Sequence, residues 1–154
     1  MKITDILVRD AVVLDLSSRA KRDVLAEMAK ALAAAEPGVD EAHLLEVLVE
    51  RERLQSTGIG EGVAIPHGKL QGITRLLASC ARSRSGVDFD SIDGQPTYLF
   101  FLLVVPENSG GQHLKALARI SRFFRDASFR KRLLEAGSRD EVCRAIEEED
   151  VKLA

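Results

Sequence analysis

Thr97 to Val105 reads Thr-Tyr-Leu-Phe-Phe-Leu-Leu-Val-Val and is closed by Pro106. A strand of this composition has no polar face, so it must be covered on both sides, which demands a layered fold around it. The proline cannot donate to a ladder and ends the strand. Helical patterns occur both before and after this run, and together they predict the α/β class, a mixed β-sheet flanked by helices. The chain has 154 residues, 45% of them apolar. That is enough for a sizeable core and predicts a single domain over 1–154.

The remaining elements follow from spacing and punctuation. Ala11 to Leu16 is a β-branched run that reads as a strand, and Ser17 or Ser18 then offers an N-cap. Val24, Leu25, Met28 and Leu32 fall on one helical face that stops at Pro37-Gly38. Asp40 is the next N-cap, opening a helix with Leu44, Leu45, Val47 and Leu48 on its buried side and its end near Arg53. Val63 to Ile65 and Leu76 to Ala81 read as further strands. Ser109 and Gln112 match a capping box before Leu117, Ile120 and Phe124; Phe129, Leu133 and Leu134 make a helix ended by Gly137. Ser138 and Glu141 open a last helix with Val142 and Ile146.

Charge and composition exclude several function classes. Lys plus Arg number 22 against 24 Asp plus Glu, a formal charge of -2, so no basic field argues for nucleic acid. The longest apolar run is far short of the roughly 20 residues that span a bilayer, so no direct membrane insertion is expected. Met1-Lys2-Ile3-Thr4-Asp5 shows no secretory h-region, which predicts a soluble, cytoplasmic protein. Cys80 and Cys143 lie far apart without CxxC spacing and are expected as buried thiols rather than a disulfide or zinc ligands.

Chemistry concentrates on two of the three histidines. His67 follows glycines at 58, 60 and 62, a short strand and Pro66, and precedes Gly68-Lys69. Small neighbours leave an imidazole at a strand end open to a partner; an exposed turn histidine is the plain alternative. The segment is no P-loop, because Val63 stands where the first glycine of GxxxxGK belongs and Leu70 follows Lys69. Its glycines lead into a strand rather than a helix, which is wrong for a dinucleotide fingerprint. His113 falls in the first turn of the helix after Ser109, on the face of Leu117, Ile120 and Phe124. A neutral imidazole there can donate to an anion attracted by the positive helix end, or it is a core-edge histidine. His43 lies on an ordinary amphipathic helix and receives no role. No metal is expected, since zinc needs three or four ligands at compatible spacing, and no G-x-S-x-G elbow supports hydrolysis.

Ser56 to Leu70, STGIGEGVAIPHGKL, preceded by Arg51-Glu52, resembles the active-site signature of type 2 enzyme IIA proteins. These are the fructose/mannitol class of the bacterial phosphoenolpyruvate-dependent phosphotransferase system. The early VVLDL segment, the turn from Phe89 to Pro96, LLVVP and His113 to Leu117 extend the resemblance over nearly the whole chain. It implies the enzyme IIA fructose/mannitol-like fold and a phosphohistidine carrier without cofactors. His67 would accept a phosphoryl group from an HPr-like phosphocarrier, His113 would assist, and Arg51 would lie close by. Arg51 offers a permanently charged fork, and Thr57 or Ser56 a hydroxyl, to the spreading charge of phosphoryl transfer. Ile59 and Val63 are expected on the docking rim. The STGIGEG leader is closer to the nitrogen-type regulatory branch, with regulatory target proteins; a sugar-specific subunit passing phosphate to an enzyme IIB is the alternative. Glu61 departs from the neutral residue common in that leader, and a carboxylate beside an incoming phosphoryl group would repel it unless it points away. A binding module of the same fold that does not transfer phosphate is therefore the third reading.

Overall fold

The structure, a computed structural model, describes residues 1–154. Two 3-10 turns, Ile3–Asp5 and Arg9–Ala11, precede the helices α1 (Lys21–Ala35) and α2 (Glu41–Leu54). Five strands follow: β1 (Gly58–Gly60), β2 (Val63–Ala64), β3 (His67–Leu70), β4 (Leu77–Val87) and β5 (Thr97–Pro106). The helices α3 (Gln112–Arg125), α4 (Ala127–Glu135) and α5 (Arg139–Lys152) complete the chain.

The apolar run is β5, and it is the central strand. On one side β2 and β3 pair with it in parallel, one after the other, with Val63 opposite Leu99 and His67 opposite Leu103. On the other side β4 pairs with it antiparallel, from Leu77 opposite Val104 to Val87 opposite Thr97. Alternation along β5 divides the core: Leu99, Phe101, Leu103 and Val105 pack with α3, α4 and α5, whereas Phe100, Leu102 and Val104 pack with α1 and α2. Every one of these side chains is at most 3% exposed. Each contributes about 1.5–3 kcal/mol by burial, so this strand fixes both helical layers to the sheet.

Several local expectations are corrected. Ala11 to Leu16 forms no continuous strand; Leu7 and Val13 make isolated bridges to β4, separated by the 3-10 turn at Arg9–Ala11, and Ala20 makes one to Asp88 just past β4. Neither Ser17 nor Ser18 caps α1, whose N-cap is Ala20 without a side-chain bond; the amides of both serines donate to Glu27 instead. Ser109 and Gln112 form no capping box either. Gly111 is the N-cap of α3, and the Ser109 hydroxyl is buried without a partner. Asp40 does cap α2 through the His43 amide, and Ser138 caps α5 through the Glu141 amide. Both thiols are buried and free, and desolvation pushes Cys80 up to about 12.

Candidate functional site

Between β2 and β3 the chain breaks at Ile65-Pro66, and the break presents His67 as the first residue of β3. The Leu103 amide donates to the Pro66 carbonyl at 2.9 Å. In a parallel ladder that parity turns Gly68 and Leu70 toward β5 and leaves the backbone groups of His67 and Lys69 on the outer edge. No strand covers that edge.

The two helical layers meet over it. A cleft of about 550 Å³ is lined from α2 by Val47, Arg51 and Leu54, from β3 by His67 and Lys69, and from α3 by His113. Its floor is apolar, with Leu103, Val105 and Leu117. The close approach of α2 depends on Gly68, because a Cβ there would lie 2.4 Å from Val47 Cγ1. Any side chain at 68 would push the helix, and Arg51 with it, away from His67.

His67 is half-buried, and its Nδ1–H donates to the Ile65 carbonyl oxygen at 2.8 Å. This bond fixes the tautomer: the proton stays on Nδ1 and Nε2 keeps its lone pair. Burial pushes the ring below the ordinary histidine value. Arg51 and His113 push the same way, while the Ile65 bond and the Glu52 carboxylate oppose them. The result at neutral pH is an uncharged ring with a free nitrogen, the form in which histidine is a nucleophile.

Arg51 donates through Nη1 to the Gln55 carbonyl at 2.8 Å, which holds its guanidinium over the last turn of α2. His113 donates from Nδ1 to the Gly110 carbonyl at 3.2 Å, in the first turn of a helix whose N-cap supplies no side-chain acceptor. Free first-turn amides and a helix N-terminus favour an anion there. Arg51, His67 and His113 thus line one cleft.

Ser56 and Thr57 do not line it. The Ser56 hydroxyl donates to the Phe89 carbonyl at 2.7 Å. Thr57, 4% exposed, donates both its amide and its hydroxyl to Glu52. Val63, fully buried, and Ile59, exposed, line a different cleft with Glu61 and Arg130, so neither belongs to the rim of the His67 cleft. The exposed apolar residues near His67 are Leu54 and, beside His113, Leu114. Glu61 lies outside the His67 cleft, in left-handed backbone at φ 57, with its carboxylate 3.7 Å from Arg130. The expected repulsion therefore has no geometric basis.

Sequence reasoning passed over Glu52 and Lys69, although both stand in the quoted motif; nothing in their spacing distinguishes them from solvated charges. Nowhere do three or more His, Cys, Asp or Glu side chains converge as metal ligands. No helix is long and apolar enough to cross a membrane.

Comparison with known proteins decides the family. Residues 5–149 match the family described as phosphoenolpyruvate-dependent sugar phosphotransferase system, EIIA 2. The chain belongs to this family. A nitrogen regulatory protein of Bradyrhizobium diazoefficiens is 46% identical over 133 residues, 86% of each chain. The fructose-specific EIIABC component of Bacillus subtilis is 39% identical over 150 residues, 97% of this chain but 24% of that longer protein. The crystal structure of nitrogen regulatory protein IIA-Ntr from Neisseria meningitidis superposes with a TM-score of 0.86 at 36% identity, covering 94% of this chain and 98% of that one. This EIIA 2 protein is accordingly a phosphoryl-carrying component of the phosphotransferase system, with the mixed sheet and flanking helices of its relatives.

Proposed function

We propose that residues 1–154 form one enzyme IIA domain of the nitrogen-type regulatory branch, working in the cytoplasm and carrying the phosphoryl group on His67 Nε2. The observation that carries this reading is the Nδ1–H bond to Ile65, which leaves Nε2 unprotonated beside the cleft. An HPr-like phosphocarrier brings the group on its own histidine. The Nε2 lone pair attacks phosphorus in line, the donor's N–P bond breaks, and its electron pair returns to the donor ring. The His67 proton stays on Nδ1 and is still donated to the Ile65 carbonyl, so phosphoryl uptake needs no proton transfer at this ring. Arg51 faces the negative oxygens with a charged fork. His113 donates Nδ1–H to the Gly110 carbonyl and lines the cleft from the first turn of α3, whose N-terminal end favours the incoming anion. The Thr57 and Ser56 hydroxyls, bound to Glu52 and to the Phe89 carbonyl, do not touch the phosphoryl group.

The nitrogen regulatory names of the relatives from Bradyrhizobium and Neisseria support the regulatory branch, with target proteins that read the phosphorylation state. The Bacillus relative keeps open the sugar-specific alternative, in which an enzyme IIB receives the group. Incubation with enzyme I, an HPr-like carrier and phosphoenolpyruvate tests the carrier function: intact mass rises by about 80 Da, the mass of one phosphoryl group, and the gain is acid-labile. H67A gains nothing. Equal labelling of H67A contradicts the assignment, and efficient passage to a sugar-specific enzyme IIB selects the alternative branch.

A further inference from the structure

Glu52 follows Arg51 directly, yet only Arg51 lines the cleft. One residue along a helix turns the side chain by about 100°, and Glu52 points instead into the protein, where it is 8% exposed. A carboxylate at that depth is costly to desolvate unless ion pairs and hydrogen bonds satisfy it. Here Lys21 Nζ, from the first turn of α1, stands 2.9 Å from Oε1. The Thr57 amide donates to both carboxylate oxygens, at 3.0 and 3.2 Å, and the Thr57 hydroxyl donates to Oε2.

The bonds continue from Thr57 to the histidine. The Thr57 carbonyl accepts the Ile65 amide at 3.0 Å, and the Ile65 carbonyl accepts His67 Nδ1–H at 2.8 Å. Lys21, Glu52, Thr57, Ile65 and His67 therefore form an unbroken series of polar contacts from α1 to the ring. We propose that Glu52, held by Lys21, is a positioning residue for His67: through Thr57 and Ile65 it fixes the carbonyl that keeps the ring proton on Nδ1 and the lone pair on Nε2. This rests on the phosphoryl-acceptor reading for its purpose, but the tautomer it predicts is measurable without any phosphoryl donor. A free imidazole has no such constraint and places its proton on either nitrogen.

Long-range proton–nitrogen NMR of the His67 ring, above its titration range, tests the link in wild type, E52Q and K21M. Wild type shows the Nδ1–H form alone. In E52Q the charge is lost, Lys21 is left with Asp90 alone, one of the two oxygens that hold Thr57 becomes an NH2 donor, and the ring becomes a mixture of both tautomers. Phosphoryl uptake in that variant slows about tenfold at saturating carrier while KM changes less than about twofold, as expected for a lost alignment rather than lost docking. Should E52Q fail to fold by circular dichroism, K21M decides: the Lys21 side chain is 21% exposed, and its loss shifts the tautomer in the same direction. A pure Nδ1–H ring and unchanged kcat in the folded variants overturn the proposal. A wild-type protein that takes up no phosphoryl group, with variants whose tautomer shifts as described, refutes the carrier reading and leaves the positioning link standing.

Discussion

Along β4 the outer edge of the sheet is occupied. Val8, Val13 and Leu16 donate backbone amides to Ala78, Cys80 and Arg82, and Ala78 and Arg82 donate back to Ile6 and Val13. The buried Arg82 side chain closes the same edge, donating to the carbonyls of Leu133, Leu134 and Ala136 at the end of α4 and to Asp15. Along β3 the opposite edge has no strand partner, and a cleft with two histidines and an arginine lies over it. An unpaired edge invites association, so proteins ordinarily cover or blunt it. This chain seals one edge with its first twenty residues and leaves the other short, four residues long and ended at Leu70, where the proposed phosphoryl donor would reach His67. The contrast separates stability from function, and substitutions on the two edges should part accordingly.

The largest effect on stability is expected from R82M on the closed edge. It strands three helix-end carbonyls and costs about 3 kcal/mol, or roughly 6–12 °C in melting temperature, while the folded fraction keeps its transfer rate; calorimetry and kinetics on one sample check both. On the open edge the order reverses. R51A should change stability by less than about 0.5 kcal/mol and slow phosphoryl uptake about 100-fold, the usual scale for removing one charge-stabilising donor; an unchanged rate would remove Arg51 from the site. G68A belongs to both sides of the comparison, since its Cβ meets Val47: about 1–3 kcal/mol of destabilisation together with slower transfer, measured by denaturant titration and single-turnover labelling.

The smallest effect is on pH dependence. Because burial lowers the His67 pKa in the folded state, the unfolded chain binds the extra proton first as pH falls below the ordinary 6.5. The stability contributed by the neutral ring is complete above that value and is lost as pH falls from it toward the lower folded-state value. Denaturant titrations at several pH values should therefore show wild type losing stability on acidification relative to H67Q, with no pH-dependent difference between them at alkaline pH. An opposite sign means the folded ring prefers its charged form.

How far the sequence foretold these arrangements depended on the range of the interaction. The run from Thr97 to Val105 announced a doubly covered strand because its composition leaves no alternative, and Asp40 and Ser138 announced caps because their partners are three residues away. Ala11 to Leu16 misled for the opposite reason: β-branched composition favours extended backbone, but pairing is set by β4, which meets this segment at one isolated bridge, Val13 with Ala81. The glycine leader and His67 were conspicuous in the sequence. That the Ser56 and Thr57 hydroxyls turn inward was not, because Phe89 lies 33 positions from Ser56 and because Glu52 looks like one more charge in Glu50-Arg51-Glu52-Arg53. Burial, not spacing, distinguishes Glu52 from its neighbours.

The most direct test is the identity of the phosphorylated atom. Nitrogen and phosphorus NMR of the protein after reaction with phosphoenolpyruvate, enzyme I and an HPr-like carrier should show one phosphoryl group on Nε2 of His67, with the proton retained on Nδ1. A phosphoryl group on His67 Nδ1, on His113, or on no histidine at all would contradict the open-edge account.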